Sequence, residues 1–353
     1  FNLFLIKSIS ARLGAKKLAS TVGGLLFLFA TPAFAYSVTL YQHHISTFLI
    51  LATFLLLLTS ESILSLGVSI ILIVFSFMVD YPNLILSTPL ILWIASKIVR
   101  AKNVATGFEL NLWIPNLLIF VFALIPFSLF AWVNIQSYGN PYQLSGTLKS
   151  VKAIDEQGLP LDPTKLVNQT GPRFQLQDLN RKKTATGFFK TRNILNGLYT
   201  HLISPDRGVI YFAPIILLSL PGLLFLAKKN RIAAAILFSI VLLNLIFYSM
   251  WGDPWGGWGF GSRYLIPSYA ILSIFVSISL SSVNKRWFVM LAIVLSVYSI
   301  WVNTLGAITT SKNPPINEIN ALELITHVEE KYTYERNWDY LTMKGSKSFV
   351  WKT

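Results

Sequence analysis

Long apolar runs fill most of the chain, separated by short polar or basic breaks. The runs fall at 18–36, 45–59, 63–79, 83–96, 112–133, 208–227, 232–250, 264–280 and 287–308. Most of them approach or reach the roughly 18–20 residues that carry a helix across a bilayer. Several breaks hold residues that end or start helices. Ser60-Glu61-Ser62 makes a tight turn, and Pro82 in Asp80-Tyr81-Pro82 suits the first turn of a new helix. Residues 1–17 open apolar and turn basic, and read as the end of an earlier helix or an interfacial segment. Pro115 and Pro126 predict kinks in the 112–133 run, which a helix bundle tolerates when neighbours satisfy the freed backbone. The pattern predicts an all-α polytopic membrane protein of about nine transmembrane helices. Helices occupy 1–133 and 207–308, with an extracytoplasmic loop at 134–206 and an extracytoplasmic tail at 309–353.

Composition agrees. Of 353 residues, 54% are hydrophobic and 12% charged, against about 25% charged in ordinary soluble domains. The net charge of +14 would suggest nucleic acid as a partner in a soluble chain. Here much of it sits between spans. Alternation puts Lys7, Arg12, Lys16 and Lys17 on one side with Lys97, Arg100 and Lys102, with Lys228, Lys229 and Arg231, and with Lys285 and Arg286. An excess of Lys and Arg in short loops marks the cytoplasmic face. The short loops 37–44, 80–82 and 251–262 fall on the other side and carry no Lys or Arg. No basic helix with interleaved aromatics points to nucleic acid. There is no cysteine, which removes disulfides, thiolate metal sites and a thiol nucleophile.

Outside the spans, 187–203 predicts an amphipathic helix lying on the membrane. Phe188, Phe189, Ile194, Leu195, Leu198 and Leu202 are its apolar positions, with Lys190 and Arg192 between them. In the tail, 317–331 predicts a short helix with Glu318 in its first turn and Lys331 at its end, as the helix dipole favours. Asn168-Gln169-Thr170 is a glycosylation sequon in the outer loop, a triplet common by chance.

One break differs from the rest. WGDPWGGWGFGSRYLIP at 251–267 holds three Trp and five Gly, with Asp253 and Arg263, between two apolar runs. Glycine allows tight turns and close approach to a ligand. Indole offers a flat apolar face with one N–H donor, and a guanidinium offers a fork of donors suited to phosphate. An aromatic belt at the membrane interface accounts for a Trp here or there, but less well for the glycines, Asp253 and Arg263. A second candidate, Ser204-Pro205-Asp206-Arg207-Gly208, directly precedes a span. Capping of the new helix accounts for Asp206. Arg207 is unfavourable at a helix N-terminus and suits either snorkelling to headgroups or a ligand phosphate. Asp80 reads either as a helix terminus in water or as a carboxylate facing a cavity. His43 and His44 are adjacent, with no partner at metal-ligand spacing. No Walker A loop, Gly-x-Ser-x-Gly elbow or HExxH stands in the chain.

Two blocks, SPDRGVIYFAP at 204–214 and WGGWGFGSRYLIP at 255–267, resemble the polytopic GT-C glycosyltransferases, among them dolichyl-phosphate-mannose-protein mannosyltransferase-like and aminoarabinose-transferase-like enzymes. PAFAYSVTLYQH at 32–43 and YGNPYQLS at 138–145 fit the same picture more weakly. The resemblance implies a polyprenyl- or dolichyl-phosphate-linked sugar as donor and inversion at the anomeric carbon. It places the chemistry on the extracytoplasmic face, with a protein, lipid or glycan as acceptor. A carboxylate must take the acceptor's proton, and Asp253 and Asp80 are the candidates. The leaving lipid phosphate needs cationic stabilisation, which falls to Arg263 and Arg207. Trp255, Trp258, Tyr264 and His43 are expected to meet the sugar or the prenyl chain. No cofactor follows from these residues, and a divalent metal stays open. The family's key acid lies in an outer loop that would precede Phe1, so no residue here inherits that role. A chain cut at that point is expected to lack activity of its own. A lipid transporter or flippase gripping a headgroup with the same loop, and a non-catalytic scaffold, are the alternative readings.

Overall fold

The computed structural model describes residues 1–39, 41–104, 107–112, 118–143, 185–327 and 331–343. In chain order its helices are α1 (Asn2–Arg12), α2 (Lys17–Phe29), α3 (Ala33–Tyr36), α4 (Gln42–Thr59), α5 (Ile63–Val79), α6 (Asn83–Leu86) and α7 (Thr88–Ile98), then α8 (Leu124–Tyr138). They continue as α9 (Ile194–Leu202), α10 (Val209–Phe212), α11 (Ser219–Lys229), α12 (Arg231–Ser249), α13 (Ile266–Ser282), α14 (Arg286–Ile308), α15 (Ile316–Thr326) and α16 (Tyr334–Thr342). Among the described residues, five segments are long and apolar enough to cross a membrane: Gln42–Thr59, Leu118–Tyr138, Arg231–Ser249, Arg263–Ser282 and Arg286–Ile308. The chain divides into two compact units, 1–127 with 191–353, and 128–190. The sequon at Asn168, most of the expected outer loop (144–184), Pro115 and the end of the tail lie outside the described residues.

The pattern of runs finds most elements, and proline explains several of the differences. The expected 18–36 span breaks after Phe29, and Pro32 starts the separate turn α3. The 208–227 span is interrupted in the same way. Its first turn, α10, stops at Phe212, and Pro214 opens a 3-10 segment ahead of α11. Proline lacks an N–H and disfavours helix in the residue before it. Pro126 sits in the first turn of α8 rather than at a mid-helix kink. The region 99–112 is a correction to the all-helical expectation. Val99–Val104 (β1) and Gly107–Leu112 (β2) pair antiparallel, from Val99 opposite Leu112 to Val104 opposite Gly107. The apolar–polar alternation of Phe108-Glu109-Leu110-Asn111-Leu112 is the period-two signal of a strand. His43 and His44 lie in α4 rather than in the preceding loop.

In the larger unit, α13 is the axis. Nearly every one of its residues is buried, against α1, α2, α4, α11 and α12. Apolar attraction alone does not drive helices together in lipid, so close packing and interhelical hydrogen bonds do the work. Small residues allow it. A Cβ on Gly222 of α11 would sit 1.9 Å from the Phe275 carbonyl oxygen, and one on Gly23 of α2 would sit 1.8 Å from Ser277 Oγ. Serines of α13 link the layers. Ser279 Oγ accepts from Gly222 N–H (2.6 Å) and donates to the Leu218 carbonyl (2.6 Å), and Ser281 Oγ accepts from Lys16 N–H (2.8 Å).

The bundle has two chemically different ends. At one, Lys97 pairs with Glu61 (2.5 Å), and the Lys229 side chain lies over Gly14. At the other, the segment around Tyr36–Tyr41, the Asp80 turn and the 251–262 loop meet. The expected α9 forms only over Ile194–Leu202. It docks on the end of α12 through Gly197, Thr200 and His201, which are buried, and leaves Leu195 and Tyr199 exposed on its other side. The tail helix α15 ends early, at His327 in the left-handed region, and Lys331 pairs instead with Asp339 of α16 (3.0 Å).

Replacing Gly222 by Val should force α11 away from α13 and lower stability by about 1–3 kcal/mol or more. The measurement is the thermal midpoint of the detergent-solubilised protein. Gly222→Ala should cost less than Val.

Candidate functional site

The 251–262 loop is shaped by its own backbone. Gly256, Gly257 and Gly261 take positive φ (72°, 60° and 60°), a region that suits glycine. Asp253 closes the turn, its Oδ2 accepting from Gly257 N–H at 2.7 Å. Phe260 N–H donates to Tyr36 Oη (2.7 Å), Gly259 N–H donates to the Asn313 carbonyl (2.9 Å), and the Phe260 ring packs edge-on against Phe212.

Arg207 lies under this loop, fully buried. Its Nε donates to the Trp255 carbonyl (3.1 Å). Nη1 donates to the backbone carbonyl (2.9 Å) and carboxylate of Asp206, and Nη2 to the carbonyls of Gly257 and Asn313 (3.1 Å each). All five N–H groups of a guanidinium are thereby used. Burial pushes the Asp206 carboxyl up and the Arg207 guanidinium down, and each charge opposes the other's shift. Asp206 Oδ2 also accepts from Ile316 N–H (3.3 Å). The sequence expectation of Arg207 on a donor phosphate does not fit this geometry, because no donor is left. Instead Arg207 ties together the 204–208 turn, the Trp loop and the 313–316 segment. Its neighbour His201, buried at Ser262 (Nδ1 to Oγ, 2.9 Å), is held by burial at a pKa of about 4.

Arg263 behaves differently. It is half-buried, with its guanidinium carbon 4.9 Å from the Tyr41 ring centre and 5.5 Å from that of Tyr264. Its Nε is buried without a hydrogen-bond partner, and no carboxylate lies within ion-pair distance among the described residues. Around it stands a compact cluster. Tyr264 stacks on Tyr248 (4.5 Å, 12° between planes), and His43 meets Tyr264 edge-on at 5.6 Å. Asp80 Oδ2 accepts from Tyr248 O–H (2.9 Å) and lies 3.9 Å from His43 Nδ1. Burial pushes the Asp80 carboxyl up to about 6, while the Tyr248 hydrogen bond pulls it down. Tyr264 is within electrostatic reach of Arg263, Asp253 and Asp80 together. A cleft of about 560 Å³, walled mainly by apolar side chains such as Phe27, Ile45 and Phe48, opens beside Tyr36, Tyr41 and His44.

Of the residues expected from sequence, Arg263, Tyr264, His43 and Asp80 therefore share one site. Asp253 is exposed and committed to its turn, whereas Asp80 has the buried setting. Trp255 contributes its carbonyl to Arg207. Trp258 faces the tail, where its Nε1 donates to Glu318 Oε2 and its ring packs beneath Arg336. Sequence reasoning passed over Tyr41, Tyr248, Asn313 and Asn337. Tyr41 and Tyr248 had a visible signal, as aromatics at span ends on the same side as the Trp loop. The two asparagines had none. Among the described residues, no group of three His, Cys, Asp or Glu stands close enough to hold a metal. No protein-family model matches the chain, and no curated protein or solved structure compared with it does either.

Arg207→Met should destabilise the protein by about 3–5 kcal/mol, because it leaves the Asp206 charge buried without its counter-ion and the Trp255 and Gly257 carbonyls without their Arg207 donor. Adding Asp206→Asn should recover part of that loss. Thermal denaturation of the detergent-solubilised variants measures both.

Proposed function

We propose that this chain is a membrane-embedded glycosyltransferase. It moves a sugar from a polyprenyl- or dolichyl-phosphate donor to an extracytoplasmic acceptor, with inversion, through a bundle of about nine spans whose aromatic end faces outward. The observation that supports this most directly is Arg263. It is a half-buried cation without a carboxylate partner among the described residues, set between two tyrosine faces, and Asp80 is bonded to Tyr248, which stacks on one of them, Tyr264. A cation in such a site favours an anion, and water exclusion strengthens the attraction. The meeting of the lysine-free loops at this end, away from Lys97 and Lys229, supports the sidedness. The resemblance of 204–214 and 255–267 to GT-C enzymes points the same way.

In this reading Asp80, ionised, takes the proton of the acceptor hydroxyl as its oxygen attacks the anomeric carbon. The bond from that carbon to the phosphate oxygen breaks, and Arg263 stabilises the charge left on the lipid phosphate. Tyr248 orients Asp80, and the cleft beside Tyr41 receives the lipid chain. Trp255 and Tyr264 flank the sugar, and Asp253 shapes the loop.

Transfer in proteoliposomes from a radiolabelled polyprenyl-phosphate sugar provides the test. Asp80→Asn should lower transfer by about 10²–10⁴-fold, and Arg263→Gln by about 10²–10³-fold, both with an unchanged thermal midpoint. Because the base acts ionised, transfer should rise with pH through about 6. Tyr248→Phe removes the bond that lowers the Asp80 pKa, so it should move that rise to higher pH. Full transfer by Asp80→Asn would overturn the assignment of the base. Donor binding that depends on Arg263, without transfer in any variant, would favour a lipid transporter.

A further inference from the structure

The tail helix α16 presents two faces. Tyr334 and Trp338, four residues apart, point toward α14, where both meet Trp301 (ring centres 5.8 and 5.9 Å). Arg336 and Tyr340, also four apart, lie on the other face, since two residues along a helix turn about 200°. There the Arg336 guanidinium lies 5.4 Å from the Trp258 ring and 5.3 Å from the Tyr340 ring. Its Nη1 is buried with no acceptor, and it makes no ion pair among the described residues. Trp258 is 44% exposed as a residue, and its Nε1 is fixed on Glu318. Asn337 locks the helix in this rotation, donating to Thr309 Oγ1 and the Thr310 carbonyl and accepting from Asn313 Nδ2. Asn313 is the residue whose carbonyl holds Arg207 and Gly259.

We propose that Trp258, Arg336 and Tyr340 form a binding site for an anionic saccharide, the acceptor of the transfer proposed above. The site chemistry has three parts. The exposed part of the indole that Arg336 leaves uncovered takes the apolar face of a sugar ring. Arg336, which has no carboxylate partner among the described residues, takes a carboxylate or phosphate on that sugar. Glu318 and Asn337 hold the platform still. The side of α16 that carries Arg336 faces away from α14 and its exposed apolar surface, so the anion comes from the aqueous side rather than from a lipid headgroup. This identification of the acceptor rests on the transferase reading, but saccharide binding at the site does not.

The test uses the full chain in detergent and calorimetric titration with two hexasaccharides of equal length, one containing alternating uronates and one neutral. The uronate hexasaccharide should bind at least about tenfold more tightly, with affinity falling as salt rises. Arg336→Gln should remove that preference and leave neutral binding as it was, and Arg336→Lys should restore part of it. Trp258→Phe should weaken both ligands. Equal affinity for the two hexasaccharides, or an Arg336→Gln variant that keeps the preference, would overturn the proposal. So would an acidic hexapeptide binding as tightly as the uronate, because the aromatic face would then contribute nothing. Binding of undecaprenyl phosphate and its dependence on Arg263, measured alongside, report on the transferase reading separately. Loss of that binding with uronate preference intact would sink the transferase and keep the saccharide site.

Discussion

A single buried cation holds the aromatic end of this protein in shape. Arg207 has no contact with solvent, and a bare guanidinium in such a place would be severely unfavourable. It is tolerated because Asp206 neutralises it and the backbone carbonyls of Asp206, Trp255, Gly257 and Asn313 complete its hydrogen bonding. Those acceptors come from segments far apart in sequence, so satisfying one side chain fixes their mutual positions. The glycine-rich loop has few side chains to anchor it, and the Arg207 clamp, the Tyr36 hydroxyl and the Asn313 carbonyl provide what it lacks.

The membrane part rests on a different principle. There α13 is surrounded by helices that approach through glycine and serine, and the interhelical hydrogen bonds run through hydroxyls of Ser279, Ser281 and Ser268. Close packing of this kind gives a rigid base at the aromatic end, from which Tyr248, Arg263 and Tyr264 project. The two arginines, neighbours in the fold, divide the work. Arg207 is saturated and structural. Arg263 has tyrosine rings and the Tyr264 hydroxyl beside it instead of a carboxylate, so its charge is not neutralised by an ion pair among the described residues.

Much of the architecture was legible in the chain. Runs such as Ile63–Val79 and Arg286–Ile308 appear as helices within a residue or so of the hydrophobic boundaries, because length and hydrophobicity leave few options in lipid. Failures cluster where short-range chemistry competes with that pattern. Pro32 and Pro214 cut long runs, and the alternation from Phe108 to Leu112 was hidden beside a span. In the site, Arg263, Tyr264, Asp80 and His43 were legible as polar or aromatic residues at span ends. The division of roles between Arg207 and Arg263 was not, because it depends on where backbone carbonyls point. The same is true of Asp253 and Asp80. Both are acids at the same end, and only the Tyr248 contact and the burial of Asp80 distinguish them.

The partners of Arg207 within the Trp loop and at Asn313 are all main-chain oxygens. Any residue able to keep the backbone path offers the same oxygen, so the clamp places no demand on the indole of Trp255 or the side chain of Trp258. The surface of the loop is therefore free to diverge in evolution while its course is held constant. Descendants of such a scaffold can change what the loop presents by surface substitution, without having to rebuild the frame beneath.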